Sequence, residues 1–184
     1  MALPGAADVV GFWQEAGPPR WFAKDAAFDA EISARFEALH LAAARGELAD
    51  WAETAQGSLA LLILLDQFPR NIWRGSAHAF ATDPLALATA RQAIAAGHDR
   101  ATDPALRMFF YLPFEHSEDL ADQDSCLILA EALDTESGSD WSRWARLHRD
   151  IIARFGRFPH RNACLGRASK ADELAFLADG GFSG

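Results

Sequence analysis

Apolar side chains recur at intervals of three and four residues along almost the whole chain, a spacing that is typical of amphipathic helices. The clearest case is a helix predicted from about Asp25 to Arg45, in which Arg35 falls inside the apolar stripe. The opposite face of that helix is predicted to hold Glu31, Glu37 and His40. No segment alternates polar and apolar residues as a strand would, so the sequence predicts an all-α fold of seven or eight helices.

Prolines mark where several of these helices should begin or end. The segment Ser58–Gln67 is apolar on every side until Asp66, which indicates a central buried helix. Pro69 should end this helix, because a proline biases the residue before it away from the helical conformation. Two further helices are predicted over residues 84–96 and 104–112, each opened by a capping aspartate and a proline in the first turn.

Polar residues that can cap a helix N-terminus define three more helices. The first should run to about Leu133 with Gln123 on its inner face, and the second carries His148 within its apolar stripe. The third is short and precedes a glycine-rich tail. Their predicted starts are Ser117, Ser139 or Asp140, and the capping-box sequence Ser169–Asp172.

Length and charge limit the classes of protein that the chain can represent. With 184 residues, half of them hydrophobic, it can build one sizeable core, and we expect a single all-helical domain over residues 1–184. The net charge of −9 is uneven, because residues 141–170 carry eight cations and one anion. The acidic remainder would repel phosphate groups, so we expect acidic and basic parts of one domain to face each other rather than a nucleic-acid partner.

The apolar stretches and the cysteines of the chain indicate the cellular compartment in which we expect the protein. The longest apolar stretch, Leu59 to Leu65, is far too short to span a bilayer, and the first residues lack the pattern of a secretion signal. Cys126 and Cys164 cannot form a disulfide framework and suit a reducing compartment. We therefore expect a cytoplasmic protein with no membrane partner. The sequence leaves the oligomeric state open.

Three proline corners collect most of the polar residues that a helical core would have to bury. They are Phe68–Asn71, Leu112–Asp119 and Phe158–Asn162. We expect the segments around them, which are Asp66–Asn71, Arg107–Glu118 and Arg157–Asn162, to converge, because polar groups at buried helix ends need partners. Their residue types permit anion binding and acid–base chemistry. The candidate acid–base residues are Glu115, His116 and His160. The candidate ligand-binding residues are Arg35, Asp66, Gln67, Arg70, Asn71, Arg107, Tyr111, Gln123, His148, Arg161 and Asn162.

Two functional hypotheses remain open at this point. The polar residues can form a pocket, binding or catalytic, for a small carboxylate or phosphate ligand. Alternatively they form a closed salt-bridge network inside a helical module that binds a peptide or protein partner. Motifs for nucleotide phosphates, dinucleotides, a serine nucleophile elbow and a zinc-protease helix are all missing from the sequence, so we expect neither a cofactor nor a metal.

Several blocks of the chain resemble the signature segments of one known family. Taken in chain order, these blocks are similar to the signature segments of the uncharacterised bacterial family called domain of unknown function 924, and the resemblance covers nearly the whole chain. It implies an all-helical fold with tetratricopeptide-like packing of the helices. It implies no activity, because the family has no established one. The blocks are Val10–Trp13, Trp21–Phe22, Leu65–Asn71, Phe80–Asp83, Tyr111–Asp119, Arg154–Asn162 and Leu165–Arg167.

Overall fold

The computed structural model describes residues 4–183, and this part of the chain is helical with no β-strand, which confirms the predicted all-α class. Seven helices have eight or more residues. They are α1 (Ala6–Ala16), α2 (Ala26–Ala44), α3 (Ala55–Leu62), α4 (Asp83–Ala95), α5 (Leu120–Ser137), α6 (Ser142–Phe155) and α7 (Ala171–Ala178). Shorter helical segments cover Pro18–Trp21, Ala49–Glu53, Ile63–Gln67, Phe68–Ile72, Ala77–Phe80, Pro104–Arg107, Met108–Phe110, Leu112–Glu115 and Pro159–Arg161.

The core forms where α1, α2 and α3 pack around the segment that follows α3. Its centre is a set of aromatic rings in mutual contact, and each fully buried ring stabilises the fold by about 1.5 to 3 kcal/mol. A second, smaller apolar cluster lies under the C-terminal part of the chain. No helix within residues 4–183 is long and apolar enough to cross a membrane. The central rings are Phe12, Trp13, Phe28, Phe36 and Phe68.

The helix that begins as α3 does not end at Pro69, so that prediction was wrong. Phe68 keeps helical backbone angles, with φ −59° and ψ −37°. The proline is accommodated because Ile63–Gln67 forms a π-helical turn, in which the Phe68 amide donates to the carbonyl of Ile63, five residues earlier. The chain then continues as a short α-helix through Ile72. This wider turn keeps Asp66 and Gln67 inside the molecule.

Side chains from other helices bind the carbonyl groups that the π-turn leaves free. His40 Nδ1 donates to the carbonyl of Leu64 at 2.7 Å, and Thr82 Oγ1 donates to the carbonyl of Leu65 at 2.6 Å. The predicted exposure of His40 on α2 was therefore wrong, because the imidazole is buried and fixes the turn. An unpaired buried carbonyl costs about 1 to 3 kcal/mol, so these contacts are structural requirements.

Several predicted helix ends are shifted because other groups do the capping. Asp119, and not Ser117, caps α5 by accepting from the amide of Ala121. The start of α6 falls at residue 142, because the Asp134 carboxylate from α5 accepts from the amides of residues 141 and 142. The predicted helix 104–112 is broken into short pieces, although Asp103 caps its first turn as expected.

Two further starts differ from the sequence pattern. Asp83 lies inside the first turn of α4, whose N-cap is Thr82, so the predicted capping role of Asp83 was wrong. At α7 the capping box is displaced by one residue, because Glu173 accepts from the amide of Lys170. In both places the carboxylate has partners elsewhere in the chain: Asp83 binds arginines, and Glu173 also binds Arg157.

Candidate functional site

The three proline corners meet in the interior, as the sequence predicted. His116 of the second corner donates from Nδ1 to Oδ1 of Asp66, which lies just before the first corner, at 2.7 Å. Arg161 of the third corner donates from Nη1 to the carbonyl of His116 at 3.0 Å. We call the resulting group of side chains the polar cluster. Its members are Asp66, Arg70, Asp83, Glu115, His116, His148, His160 and Arg161.

Asp66 is the most deeply buried carboxylate of the polar cluster, with a side chain that is 1% exposed. It accepts hydrogen bonds from His116 and from Gln67 Nε2, at 2.7 and 2.6 Å, and its Oδ1 lies 3.3 Å from Arg70 Nη1. Burial by itself would raise the pKa of Asp66, but Arg70 and the two donors outweigh burial and hold that pKa well below its usual range. Asp66 is therefore ionised at neutral pH.

Arg70 joins the π-turn to α4. Its two terminal nitrogens bind the two oxygens of Asp83, each at 3.0 Å, and Nη1 also donates to the carbonyl of Asp66. A bidentate pair of this kind fixes both distance and plane. Arg70 and Asp83 thus hold the first corner against α4, and both oxygens of Asp83 are engaged.

Arg161 is the second buried guanidinium, and its pairing is less complete. Its carbon Cζ lies 4.6 Å from the ring centre of Phe80 and 4.4 Å from that of Phe158, so the group is held between two rings. Nη1 reaches Asp83 only at 3.4 Å, and Nε is buried with no partner anywhere in residues 4–183. Burial, together with the charge of Arg70, lowers the pKa of Arg161 to about 10.

The three imidazoles of the polar cluster are uncharged at neutral pH. Burial lowers the pKa of His148 to about 4, and burial with the charge of Arg161 lowers that of His160 to about 3. Burial and the charge of Arg70 also lower the pKa of His116, although Asp66 opposes the shift. The Nδ1 atom of His160 is buried without a partner in the described part of the chain.

Glu115 has the opposite charge state from Asp66. Its side chain is 10% exposed, and its Oε1 lies 3.4 Å from His148 Nδ1, which is hydrogen-bonded to the carbonyl of Trp144. Burial, and then the negative charge of Asp66, raise the pKa of Glu115 to about 8. The site therefore places a protonated Glu115 near an ionised Asp66, a combination that can accept and donate protons.

A second set of charges locks the third corner in place. Arg167 pairs with Glu118 through both terminal nitrogens, at 2.6 and 3.0 Å, and Glu118 accepts from the amide of Phe158. Asn162, a predicted ligand-binding residue, donates instead to Glu173 at 3.1 Å and accepts from Arg167. Asn162 therefore has a structural role in shaping this corner.

Among the predicted site residues, Arg35, Asn71 and Gln123 also lie outside the polar cluster. Arg35 is half exposed on α2, where it pairs with Glu31 and lies over the ring of Phe12, so its place in the apolar stripe reflects ring stacking. Asn71 donates to Asp29 at 2.7 Å. Gln123 binds the backbone carbonyls of residues 115 and 117 at 2.6 and 2.7 Å, which fixes the second corner from α5.

Arg107 and Tyr111 form a separate polar group. Arg107 pairs with Glu136, which is 56% exposed, rather than with Asp66 or Glu115. Tyr111 donates to Asp99 at 2.9 Å, and burial raises its pKa. The helical pieces between residues 104 and 115 turn these side chains away from the three corners, so both predicted placements were wrong.

Asp83 and Glu118 are the site residues that sequence reasoning missed. Both stand at predicted helix starts, and capping or a favourable helix dipole accounted for their carboxylates there. A closer signal was the number of arginines in and next to the corners. Arg70, Arg161 and Arg167 each require a carboxylate, and Asp66 alone cannot pair with all three.

Residues 4–183 contain no group of three or more histidine, cysteine or carboxylate side chains placed to hold a metal ion. The sequence model of the family described as "Bacterial protein of unknown function (DUF924)" matches residues 9–181. The fold is similar to that of a solved structure, the protein of unknown function ATU0120 from Agrobacterium tumefaciens, with a TM-score of 0.89 and 52% sequence identity. That comparison covers 95% of this chain and 97% of the other. No curated protein sequence matches the chain.

Proposed function

The chain belongs to the bacterial family of unknown function DUF924, and we propose that it binds a small anion, a carboxylate or a phosphate, at Arg161 in the polar cluster. The observation that carries the proposal is the incomplete pairing of a buried guanidinium. Both side-chain hydrogen bonds of Arg161 within residues 4–183 come from Nη1, while Nε is buried and unpartnered. A guanidinium offers five donors in a plane that matches carboxylate and phosphate oxygens.

The neighbouring carboxylates support the proposal because they are engaged elsewhere. Asp83 gives both oxygens to Arg70, and Glu118 gives both to Arg167. Asp66 is taken by His116, Gln67 and Arg70. Arg161 therefore lacks a carboxylate of its own, and a bound anion would supply one.

The surroundings of Arg161 favour an anion over a second protein carboxylate. The rings of Phe80 and Phe158 restrict the orientation of the Arg161 guanidinium, so less side-chain entropy is lost when a ligand binds. The uncharged imidazole of His160 provides a polar atom, Nδ1, that is buried without a partner in the described residues. An imidazole can donate a hydrogen bond to an anion without the desolvation cost of a second buried charge.

The test is a titration with phosphate and acetate, followed by the thermal unfolding midpoint at constant ionic strength. The wild-type midpoint should rise and saturate at millimolar anion, because a ligand that binds only the native state stabilises it by mass action. Arg161→Gln should abolish the saturating rise. Arg74→Gln should retain it, because Arg74 is a partly exposed arginine already paired in bidentate fashion with Asp29.

Arg161→Gln must remain folded for this comparison, and the structure predicts that it does. Asp83 keeps its bidentate pair with Arg70 when Arg161 is removed, so no buried charge is left unpaired, and we expect a loss of about 1 to 3 kcal/mol from the ring contacts and the hydrogen bond to the His116 carbonyl. A linear response to phosphate that is the same in wild type and both variants would reflect exclusion of the salt from the surface. That result would contradict the anion site and favour the interaction module.

A further inference from the structure

The chain beyond α7 folds back over the imidazole side of the polar cluster. The ring of Phe182 lies edge-on to His148, with 4.5 Å between ring centroids, and edge-on to His160 at 5.3 Å. The same ring packs against the smaller apolar cluster, which includes Phe158. Phe158 also contacts both imidazoles and Arg161, so one ring connects the wall that Phe182 covers to the proposed anion site.

Two glycines direct the chain into this position. Gly180 has φ +81°, a left-handed conformation that favours glycine, and it ends α7. The Gly181 amide then donates to the carbonyl of Phe176 at 2.9 Å. A Cβ atom at Gly181 would lie 2.5 Å from that same oxygen, so the segment fits closely against α7 only with glycine here.

Besides the contacts of the Phe182 ring, few interactions hold the strap formed by residues 180–183 in place. Within residues 4–183 its hydrogen bonds are two backbone contacts to α7, from Gly180 to Leu177 at 3.4 Å and from Gly181 to Phe176. Phe182 itself is only partly buried, and Ser183 is exposed. Segments with few hydrogen bonds and little buried surface are the first to open in a folded protein.

We infer that Phe182 is a removable plug, and that the ligand of the Arg161 site is a carboxylate with an aromatic or branched apolar group that takes the place of the Phe182 ring. This inference rests on the proposed anion site and specifies its substrate class. The wall that the ring now covers consists of His148, His160 and Phe158, which are surfaces suited to an aromatic group. Arg161 packs on the same Phe158 ring and would bind the carboxylate.

The experiment compares benzoate with acetate, which share a carboxylate and differ in the ring. Binding is measured by calorimetry on the full chain, for wild type, Phe182→Ala and Gly181→Ala. Phe22→Ala is the matched control, because Phe22 is 54% exposed and lies edge-on to Trp141, away from the cluster. The opening of the strap is measured independently by the rate at which diethyl pyrocarbonate modifies His148 and His160.

Phe182→Ala should strengthen benzoate binding by about tenfold and change acetate binding by less than about twofold, because only the ring competes with the plug. Modification of His148 and His160 should accelerate by a similar factor, whereas that of the exposed His78 should stay constant. Gly181→Ala should act in the same direction, because it displaces the strap and keeps the ring. Phe22→Ala should change neither measurement.

The failures of the two proposals give different results. If acetate binds in an Arg161-dependent manner while Phe182→Ala leaves benzoate affinity unchanged, the anion site stands and the plug is contradicted. If neither anion binds any variant, both the anion site and this ligand class are contradicted. If the two histidines react at wild-type rates in Phe182→Ala, the ring does not cover them and the inference is overturned.

Discussion

Replacing Glu115 with glutamine tests the charge state of the polar cluster most sharply. The carboxamide has the shape of a protonated carboxyl group and cannot ionise. Burial and the charge of Asp66 raise the pKa of Glu115 from 4.5 to about 8, so the native protein holds a proton there that the unfolded chain releases near pH 4.5. The native state therefore binds more protons between these two values, and the free energy of unfolding falls as the pH rises through them.

The size of the effect follows from that interval. A difference of one pH unit in pKa corresponds to about 1.4 kcal/mol, so the interval from 4.5 to about 8 amounts to about 4 to 5 kcal/mol. Glu115→Gln removes this loss. Apart from a constant offset, the free energies of unfolding of the variant and the wild type should agree to within about 1 kcal/mol at pH 5. By pH 9 the free energy of unfolding of the variant should exceed that of the wild type by about 4 kcal/mol more than the offset. The buried histidines titrate in both proteins and cancel in the difference.

The assay is urea unfolding followed by tryptophan fluorescence at pH 5, 7 and 9, with unchanged slopes confirming a two-state comparison. Glu131→Gln is the matched control, because Glu131 is a half-exposed carboxylate on α5 that lies outside the polar cluster. A Glu115→Gln difference that is equal at pH 5 and pH 9 would refute the reasoning, because Glu115 would then ionise in the native protein as it does in the unfolded chain.

Three other predictions concern the same fold and site. Arg70→Ala should lower the free energy of unfolding by about 3 kcal/mol or more, because Asp66 and Asp83 both lose the Arg70 guanidinium. Arg74 is more exposed, so Arg74→Ala should cost less than about 1 kcal/mol, and chemical unfolding compares the two variants. Gly57→Ala should be strongly destabilising, because its Cβ would lie 2.0 Å from a backbone carbonyl oxygen, while Gly11→Ala, whose Cβ meets no atom within 4 Å, should stabilise its helix by about 0.5 to 1 kcal/mol in thermal unfolding. Anion affinity, measured by calorimetry, should fall as the pH rises through about 8, because Glu115 then becomes negative.

The sequence predicted the features that depend on local periodicity. The span of α2 follows from residue spacing, and the structure agrees at both ends. The convergence of the three corners was predicted because buried polar groups need partners, and it is confirmed. Such inferences require no knowledge of which distant helix supplies the partner.

The sequence could not predict features that depend on contacts between distant helices. The π-turn before Phe68 exists because His40 and Thr82 bind the carbonyls that it frees, and neither lies near the turn in sequence. Asp83 suits a helix cap equally well, and only the approach of Arg70 makes it a salt-bridge partner. Arg107 was misplaced because the helix that carries it is broken into short pieces.

The anion site at Arg161 is the central claim, and the guanidinium itself can be observed. In protein labelled with nitrogen-15 arginine, the Nε–H resonance of Arg161 should shift with added phosphate and saturate at millimolar concentration. The Nε–H resonance of Arg157, which already binds Glu173 at 2.6 Å, should stay in place. Sodium chloride at the same ionic strength should move neither resonance. Equal, unsaturated shifts of both resonances, or no shift of Arg161 at any phosphate concentration, would contradict the account.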